Sequence, residues 1–226
     1  MTTALREHLE EVPIQYPKTH LRETFYITLE PEVRLQLTAL LPKLLTQLYK
    51  AGRHMGEDTK VRLIYESLSR LMVYDHTEYP ENKGMLRYTY AGGITTGKAV
   101  CMGVAELFTM VASAMALPVE TVVGYGGDPA RSGGLHAWNI VWLHDIPYHV
   151  DLTWDLSDNV RIRGGFKYYL KSDAYMAAND HTWLPERYPH CPRCMPEREI
   201  PKIPPQAVAL LCAEFENIRR AIQAGK

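Results

Sequence analysis

Residues 136–153 constrain the chain more tightly than any other stretch. Residues 136–143 and 147–153 both read as strands, rich in β-branched and aromatic side chains, and His144-Asp145 lies between them as a tight turn. The pair is therefore expected to be a β-hairpin. With the turn at 144–145, position 136 pairs with about position 153. Side chains alternate with period two, so residue 151 falls on the same face as His136, as its diagonal neighbour. Residues 121–125 form a further β-branched strand. A Gly-rich loop over 126–134, with Asp128-Pro129 and Gly133-Gly134 as turn signals, leads into the hairpin.

Helical periodicity accounts for most of the rest. From about 31 to 52, Leu35, Leu37, Leu40, Leu41, Leu44, Leu45 and Leu48 recur at spacings of three and four, with Gly52 as a stop. A second helix follows Gly56. Asp58 is its expected cap, and Val61, Ile64, Tyr65, Leu68, Leu71 and Met72 form its apolar stripe. Residues 74–97, with Gly84, Gly92-Gly93 and Gly97, read as irregular. A third helix opens near Cys101 and ends before Leu117-Pro118. Residues 155–203 read as mostly loop, with a helical stretch near 172–178. A last helix starts at Pro204-Pro205 and carries Val208, Leu211, Cys212, Phe215 and Ile218. Residues 25–29 are expected to be a short strand.

The 226 residues suffice for one substantial domain, or a domain with an extension. A net charge of -1 implies no basic face, so neither nucleic acid nor a membrane surface is an expected partner. No apolar run reaches the roughly 18 residues of a membrane span, and residues 1–11 contain no apolar leader core, so a cytoplasmic location is expected.

Cys101, His136 and Asp151 form the chemical constellation. A helix start offers unpaired N–H groups and a partial positive charge, both of which favour thiolate over thiol. His136 follows a glycine-rich loop, and a carboxylate at 151 can hold one ring nitrogen while the other faces the cysteine. Each residue alone reads more readily as structural; the three together point to a nucleophile, a base and its orienter. Supporting candidates for the cleft are Met102 and Gly103 beside the cysteine, Trp138 and Trp154 as walls, and Asn139 as a polar contact. Tyr88 or Tyr90 is a candidate hydrogen-bond donor to an oxyanion.

Three blocks also carry a family resemblance: Gly97-Lys98-Ala99-Val100-Cys101-Met102-Gly103-Val104-Ala105, then His136-Ala137-Trp138-Asn139-Ile140-Val141, then Tyr148-His149-Val150-Asp151-Leu152-Thr153-Trp154-Asp155. In this order and spacing they resemble the transglutaminase-like superfamily, and within it the bacterial transglutaminase-like cysteine proteases. The resemblance is strongest over residues 88–155. It implies an α+β, papain-like fold with the nucleophile at a helix N-terminus packed on an antiparallel sheet. It also implies that Cys101 attacks a peptide or side-chain amide, with His136 as base and Asp151 orienting it. Hydrolysis is the favoured outcome; transfer to an amine, or a non-catalytic binding role, are the alternatives. The expected division is an N-terminal helical extension over 1–73, a catalytic core over 74–190, and a proline-rich segment with a C-terminal helix over 191–226. No cofactor is implied, and no calcium loop is present. The expected partner is a peptide or protein substrate.

Cys191 and Cys194 form a CxxC, with His181 and His190 near enough in sequence to be weighed as zinc ligands. A second CxxC or a CxxH is missing, so packed free thiols are the expectation. Cys212, on an apolar helical stripe, is expected in the core.

Overall fold

The computed structural model describes residues 31–78, 85–127, 133–157 and 166–224. The strand expected at 25–29 lies outside the described residues. Helix α1 (Pro31–Gly52) buries Val33, Leu37, Leu44 and Leu48. Leu35, placed in the apolar stripe by its spacing, is 73% exposed. Two residues of helix rotate a side chain by about 200°, so Leu35 and Leu37 cannot share a face. Helix α2 (Glu57–Leu71) buries its whole predicted stripe. Its cap is Gly56, without a side-chain bond, and not Asp58. The acidic first turn of α2 is used elsewhere. Glu57 accepts from the backbone N–H of His144 at 2.6 Å, and Asp58 bonds His144 Nε2 at 2.7 Å. These bonds dock the hairpin turn on the N-terminus of α2.

After α2 the chain forms β1 (Val73–Tyr74), a 3₁₀ turn (Met85–Tyr88), helix α3 (Tyr90–Thr96) and β2 (Lys98–Ala99), which pairs in parallel with β1. Residues 85–97 are therefore more regular than expected. The glycines misled because their role is close packing. A Cβ on Gly92 would lie 2.4 Å from the Leu86 carbonyl oxygen, and one on Gly93 would lie 2.7 Å from the Leu107 side chain. Thr89 caps α3 by accepting from Gly92 N–H, and Gly97 ends it at φ 74°.

Helix α4 (Cys101–Ala114) follows. Then come β3 (Val119–Gly126), β4 (Gly134–Leu143) and β5 (Ile146–Val150). With the later β6 (His181–Thr182) they build an antiparallel sheet in the order β5-β4-β3-β6. His144 and Asp145 both have positive φ, 51° and 65°, as a two-residue hairpin turn with the twist of its strands requires. The register pairs Asn139 with Val150, as the sequence implied. However, β5 stops at Val150. The Asp151 carboxylate accepts from Trp154 N–H at 3.1 Å and starts helix α5 (Leu152–Ser157), an element not expected from the sequence.

The sheet separates two apolar clusters. Val141 and Leu143 of β4 join α1, α2 and α4 in the larger one. Trp138 and Ile140, on the other parity, pack with Val122, Tyr168, Met176, Trp183, Tyr188 and Cys191. Helix α6 (Asp173–Ala178), capped by Ser172, borders this second cluster. Helix α7 (Pro205–Ala224) lays Val208, Leu211, Phe215, Ile218 and Ile222 onto α1 and α2. Each such fully buried aliphatic or aromatic side chain contributes about 1.5–3 kcal/mol. Cys212 is only half-buried, at the rim of this contact, with its sulfur 3.7 Å from the Ser67 carbonyl. It sits beside the stripe residue Leu211, one step round the helix toward solvent. The architecture is α+β, and no helix among the described residues is long and apolar enough to cross a membrane.

Candidate active site

Cys101 is the first residue of α4. The helix is entered through Val100, whose N–H donates to the Arg87 carbonyl at 3.0 Å. That bond ties the start of α4 to the 3₁₀ turn. Gly103 permits it, because a Cβ there would lie 2.3 Å from the Arg87 carbonyl oxygen and 3.0 Å from that of Thr89. The slimness of Gly103 therefore admits the chain's own backbone. Met102 lies beside the cysteine in the first turn, partly exposed.

His136 near the start of β4 faces Cys101. Its Nε2 donates to Asp151 Oδ2 at 2.7 Å, which leaves Nδ1 for the sulfur. Burial pushes the Cys101 thiol up, but the hydrogen bond and charge of His136 and the backbone N–H of Ala137 outweigh it, and the net shift is downward. His136 is also buried, which by itself would lower its pKa. The Asp151 charge and hydrogen bond and the Cys101 thiolate instead raise it to about 10. Asp151 is fully buried, which opposes ionisation, yet the two imidazoles against it hold the carboxyl well below the usual carboxylate range. The arrangement sets a thiol, an imidazole and a carboxylate in series.

Trp154 and Trp138 flank the His136 ring at 5.5 and 5.6 Å between centroids. Trp138 is fully buried, whereas Trp154 is partly exposed. Asn139 is buried between α4 and the sheet. Its Nδ2 donates to the Ala105 carbonyl at 3.2 Å and to Thr109 Oγ1 at 2.9 Å, clamping α4 to the sheet. Tyr90 pairs through its backbone N–H with Glu106 at 3.1 Å, and its phenol is pushed up by burial and the Glu106 charge. The Tyr88 hydroxyl accepts from Arg87 at 3.2 Å. The tyrosine with a direct electrostatic effect from Cys101 is Tyr74 of β1. Burial and then the Cys101 charge push its phenol up, so it stays a hydrogen-bond donor. Sequence reasoning missed it because it lies 27 positions before the cysteine and is brought back by the β1–β2 pairing.

A second omission is His181, on β6. Its Nε2 lies 2.9 Å from the same Asp151 Oδ2 that holds His136, and its Nδ1 lies 2.8 Å from the Asn179 carbonyl oxygen. Only the strand order, with β6 beside β3, could have located it. Tyr65 of α2 underpins the floor of the site. Its hydroxyl lies 2.9 Å from the Asp151 carbonyl oxygen and 2.5 Å from Asp155 Oδ2. Burial raises Asp155 to about 6.

Two groups of metal-ligand types converge within 4.8 Å: His136, Asp151 and His181, and His149, Asp173 and Cys191. In the second, the Trp138 indole N–H donates to His149 Nδ1 at 2.9 Å. That fixes the ring proton on Nε2, where it donates to Asp173 at 2.8 Å. A ligating imidazole donates from its other nitrogen instead, so this ring is set for hydrogen bonding. His190 also bonds Asp173. The four cysteines are free thiols, and the Cys194 sulfur bonds Ser172.

Residues 45–154 match the family model of the transglutaminase-like superfamily. The matched segment contains Cys101, His136 and Asp151. Among solved structures, the chain is similar to a candidate cysteine protease from Cytophaga hutchinsonii, at 18% identity and TM-score 0.40, covering 66% of this chain and 47% of the other. It is also similar to a TGase, at 19% identity and TM-score 0.39, covering 66% and 36%. The chain thus spans less than half the length of either. A comparison with curated proteins gave no match.

Proposed function

We propose that this protein is a thiol-dependent acyl-transfer enzyme acting on a peptide or side-chain amide, with hydrolysis as its favoured outcome. The observation that carries the reading is the buried hydrogen-bonded series in which Asp151 holds His136 and His136 faces Cys101 at a helix start. The Cys101 thiolate attacks the amide carbonyl carbon, forming a C–S bond while the carbonyl π electrons move to oxygen. N–H groups in the first turn of α4 and the Tyr74 hydroxyl supply donors for that oxyanion. Collapse breaks the C–N bond. The leaving nitrogen takes the proton from His136, leaving a thioester. His136 then accepts a proton from water, whose oxygen attacks the thioester and releases the acid and the thiolate. An amine in place of water gives transamidation through the same steps. The reaction as written draws on side chains and backbone alone and requires no metal.

Incubation with a library of peptide amides, quenched and analysed by intact mass, tests the proposal. The expected result is a transient mass increase on Cys101, absent in Cys101→Ala. Unchanged substrate turnover in Cys101→Ala would overturn it. Added primary amine decides the acceptor, since only a transamidase diverts the thioester product quantitatively.

A further inference from the structure

We infer that His181 is a positively charged positioning residue that shares the Asp151 carboxylate with His136 and sets the pH range of the cysteine–histidine pair. This rests on the proposed thiol chemistry. His181 Nδ1 faces the Asn179 carbonyl oxygen, which only accepts, so Nδ1 carries a proton. Its Nε2 faces Asp151 Oδ2 at 2.9 Å, and an ionised carboxylate also only accepts. Both ring nitrogens must then be protonated, which makes the ring an imidazolium. Moving that proton to Oδ2 would neutralise the carboxylate that His136 depends on. The surroundings fit a cation. Trp154, Trp138 and Tyr168 rings surround the imidazole with centroids at 4.2, 5.1 and 5.2 Å, an arrangement that favours positive charge.

Among the described residues, the titratable groups around His181 each have a place in this balance. Asp151, just before α5, bears the charge that two imidazoliums share. Asp155, one turn on, is held by Tyr65 and by the backbone N–H groups of Lys167 and Tyr168. His136 of β4 is the partner imidazolium, with its ring centroid 5.6 Å away, and Cys101 of α4 lies beyond it. His149 of β5 is kept uncharged by the indole N–H on its Nδ1. Asp173 of α6, which lines a cavity with His181, is bonded to His149 and His190.

The functional consequence follows from charge. With one carboxylate to itself, His136 would hold its proton too firmly to give it to a leaving nitrogen. A second cation on the same oxygen makes the His136 proton more acidic and favours the thiolate. Removing that cation therefore moves both ionisations of the pair to higher pH. At an effective dielectric of about 20, a unit charge at 5.6 Å corresponds to about two pH units. A measured shift of about one unit or more is expected once solvent relaxes around the change.

The test is His181→Gln, whose amide keeps a neutral N–H toward Asp151. The rate of Cys101 carboxamidomethylation is followed against pH by mass spectrometry. The acid-side midpoint is expected to rise by about one unit or more, with His181→Asn behaving alike. An unchanged midpoint in a folded variant overturns the inference. If neither variant folds, ¹⁵N NMR of histidine-labelled wild type decides. A buried ring with both nitrogens protonated at pH 8 supports the inference, and a bare nitrogen on His181 overturns it. If wild-type Cys101 itself shows an ordinary thiol profile, the proposed thiol chemistry fails instead, while the NMR result on His181 stands separately.

Discussion

Replacing Gly103 with alanine sets two known effects against each other. In an open helix the change stabilises by about 1 kcal/mol, because alanine is the better helix former. Gly103 lies in the first turn of α4, and the atoms its new Cβ would meet are backbone: the Arg87 carbonyl oxygen at 2.3 Å and the Thr89 carbonyl oxygen at 3.0 Å. Neither can swing aside as a side-chain tip would. Relief requires the 3₁₀ turn to retreat by roughly 1 Å to reach normal contact. That retreat pulls on the hydrogen bond from Val100 N–H to the same Arg87 carbonyl, which holds the start of α4. Overpacking of this kind costs about 1–3 kcal/mol, and a weakened backbone bond adds about 1 kcal/mol more. The penalty outweighs the propensity gain, so a net loss of about 1–3 kcal/mol is expected. Urea unfolding measures the loss, and iodoacetamide labelling at pH 7 should show Cys101 slowed about tenfold as its helix N-terminus moves. A Gly103→Ala variant as stable as the wild type, with unchanged labelling, would refute the claim that this glycine positions the nucleophile.

In Asp151→Asn the amide oxygen stays with the Trp154 N–H, so the amide NH₂ replaces the Oδ2 that both imidazoles share. The His136 proton is forced to Nδ1, where it blocks uptake from the thiol, and turnover should fall by about three orders of magnitude or more. Breaking the buried pair should also cost about 3–5 kcal/mol in urea unfolding; wild-type turnover in a folded variant would contradict this. Tyr74→Phe should lower turnover about 10–100-fold with little effect on substrate affinity, whereas Tyr90→Phe, which keeps the backbone bond to Glu106, should not; equal effects would dismiss Tyr74 as an oxyanion donor. Stability should follow pH in a definite sense. His136 has its pKa raised to about 10, so its contribution is full below its unfolded value near 6.5 and is lost as pH rises through about 10. Asp151 has its pKa lowered, so its contribution is present above the ordinary carboxylate value and is lost as pH falls below it. In His136→Gln both dependences should flatten when unfolding is followed from about pH 3 to 10.5, and parallel curves for variant and wild type would count against the pair.

Period-two alternation and one turn dipeptide were enough to read the hairpin register, and with it the His136–Asp151 contact that the structure places at 2.7 Å. Apolar periodicity was likewise enough for α1, α2 and α7, although Leu35 shows that a spacing of two within a helix changes face. What stayed illegible depends on distant parts of the chain. His181 reaches Asp151 from 30 positions away through the pairing of β6 with β3. Tyr74 reaches Cys101 through a two-residue parallel bridge. Helix α3 was hidden because Gly92 and Gly93 are selected by contacts with Leu86, Leu107 and Met72, none of which a local reading includes. Asn139 reads as a polar cleft residue in one dimension and becomes the clamp between α4 and the sheet in three.

The central claim is that Cys101 is held as a thiolate by His136. Its most direct test is site-resolved alkylation of the wild-type protein across pH, with all four cysteines quantified in one digest. Cys101 should reach its full rate well below the roughly 8.5 of an ordinary thiol. Cys191, pushed by burial well above that value, and Cys212, pushed up more modestly by burial, should stay slow throughout. A Cys101 rate that climbs only with an ordinary thiol titration, in step with Cys212, would contradict the account.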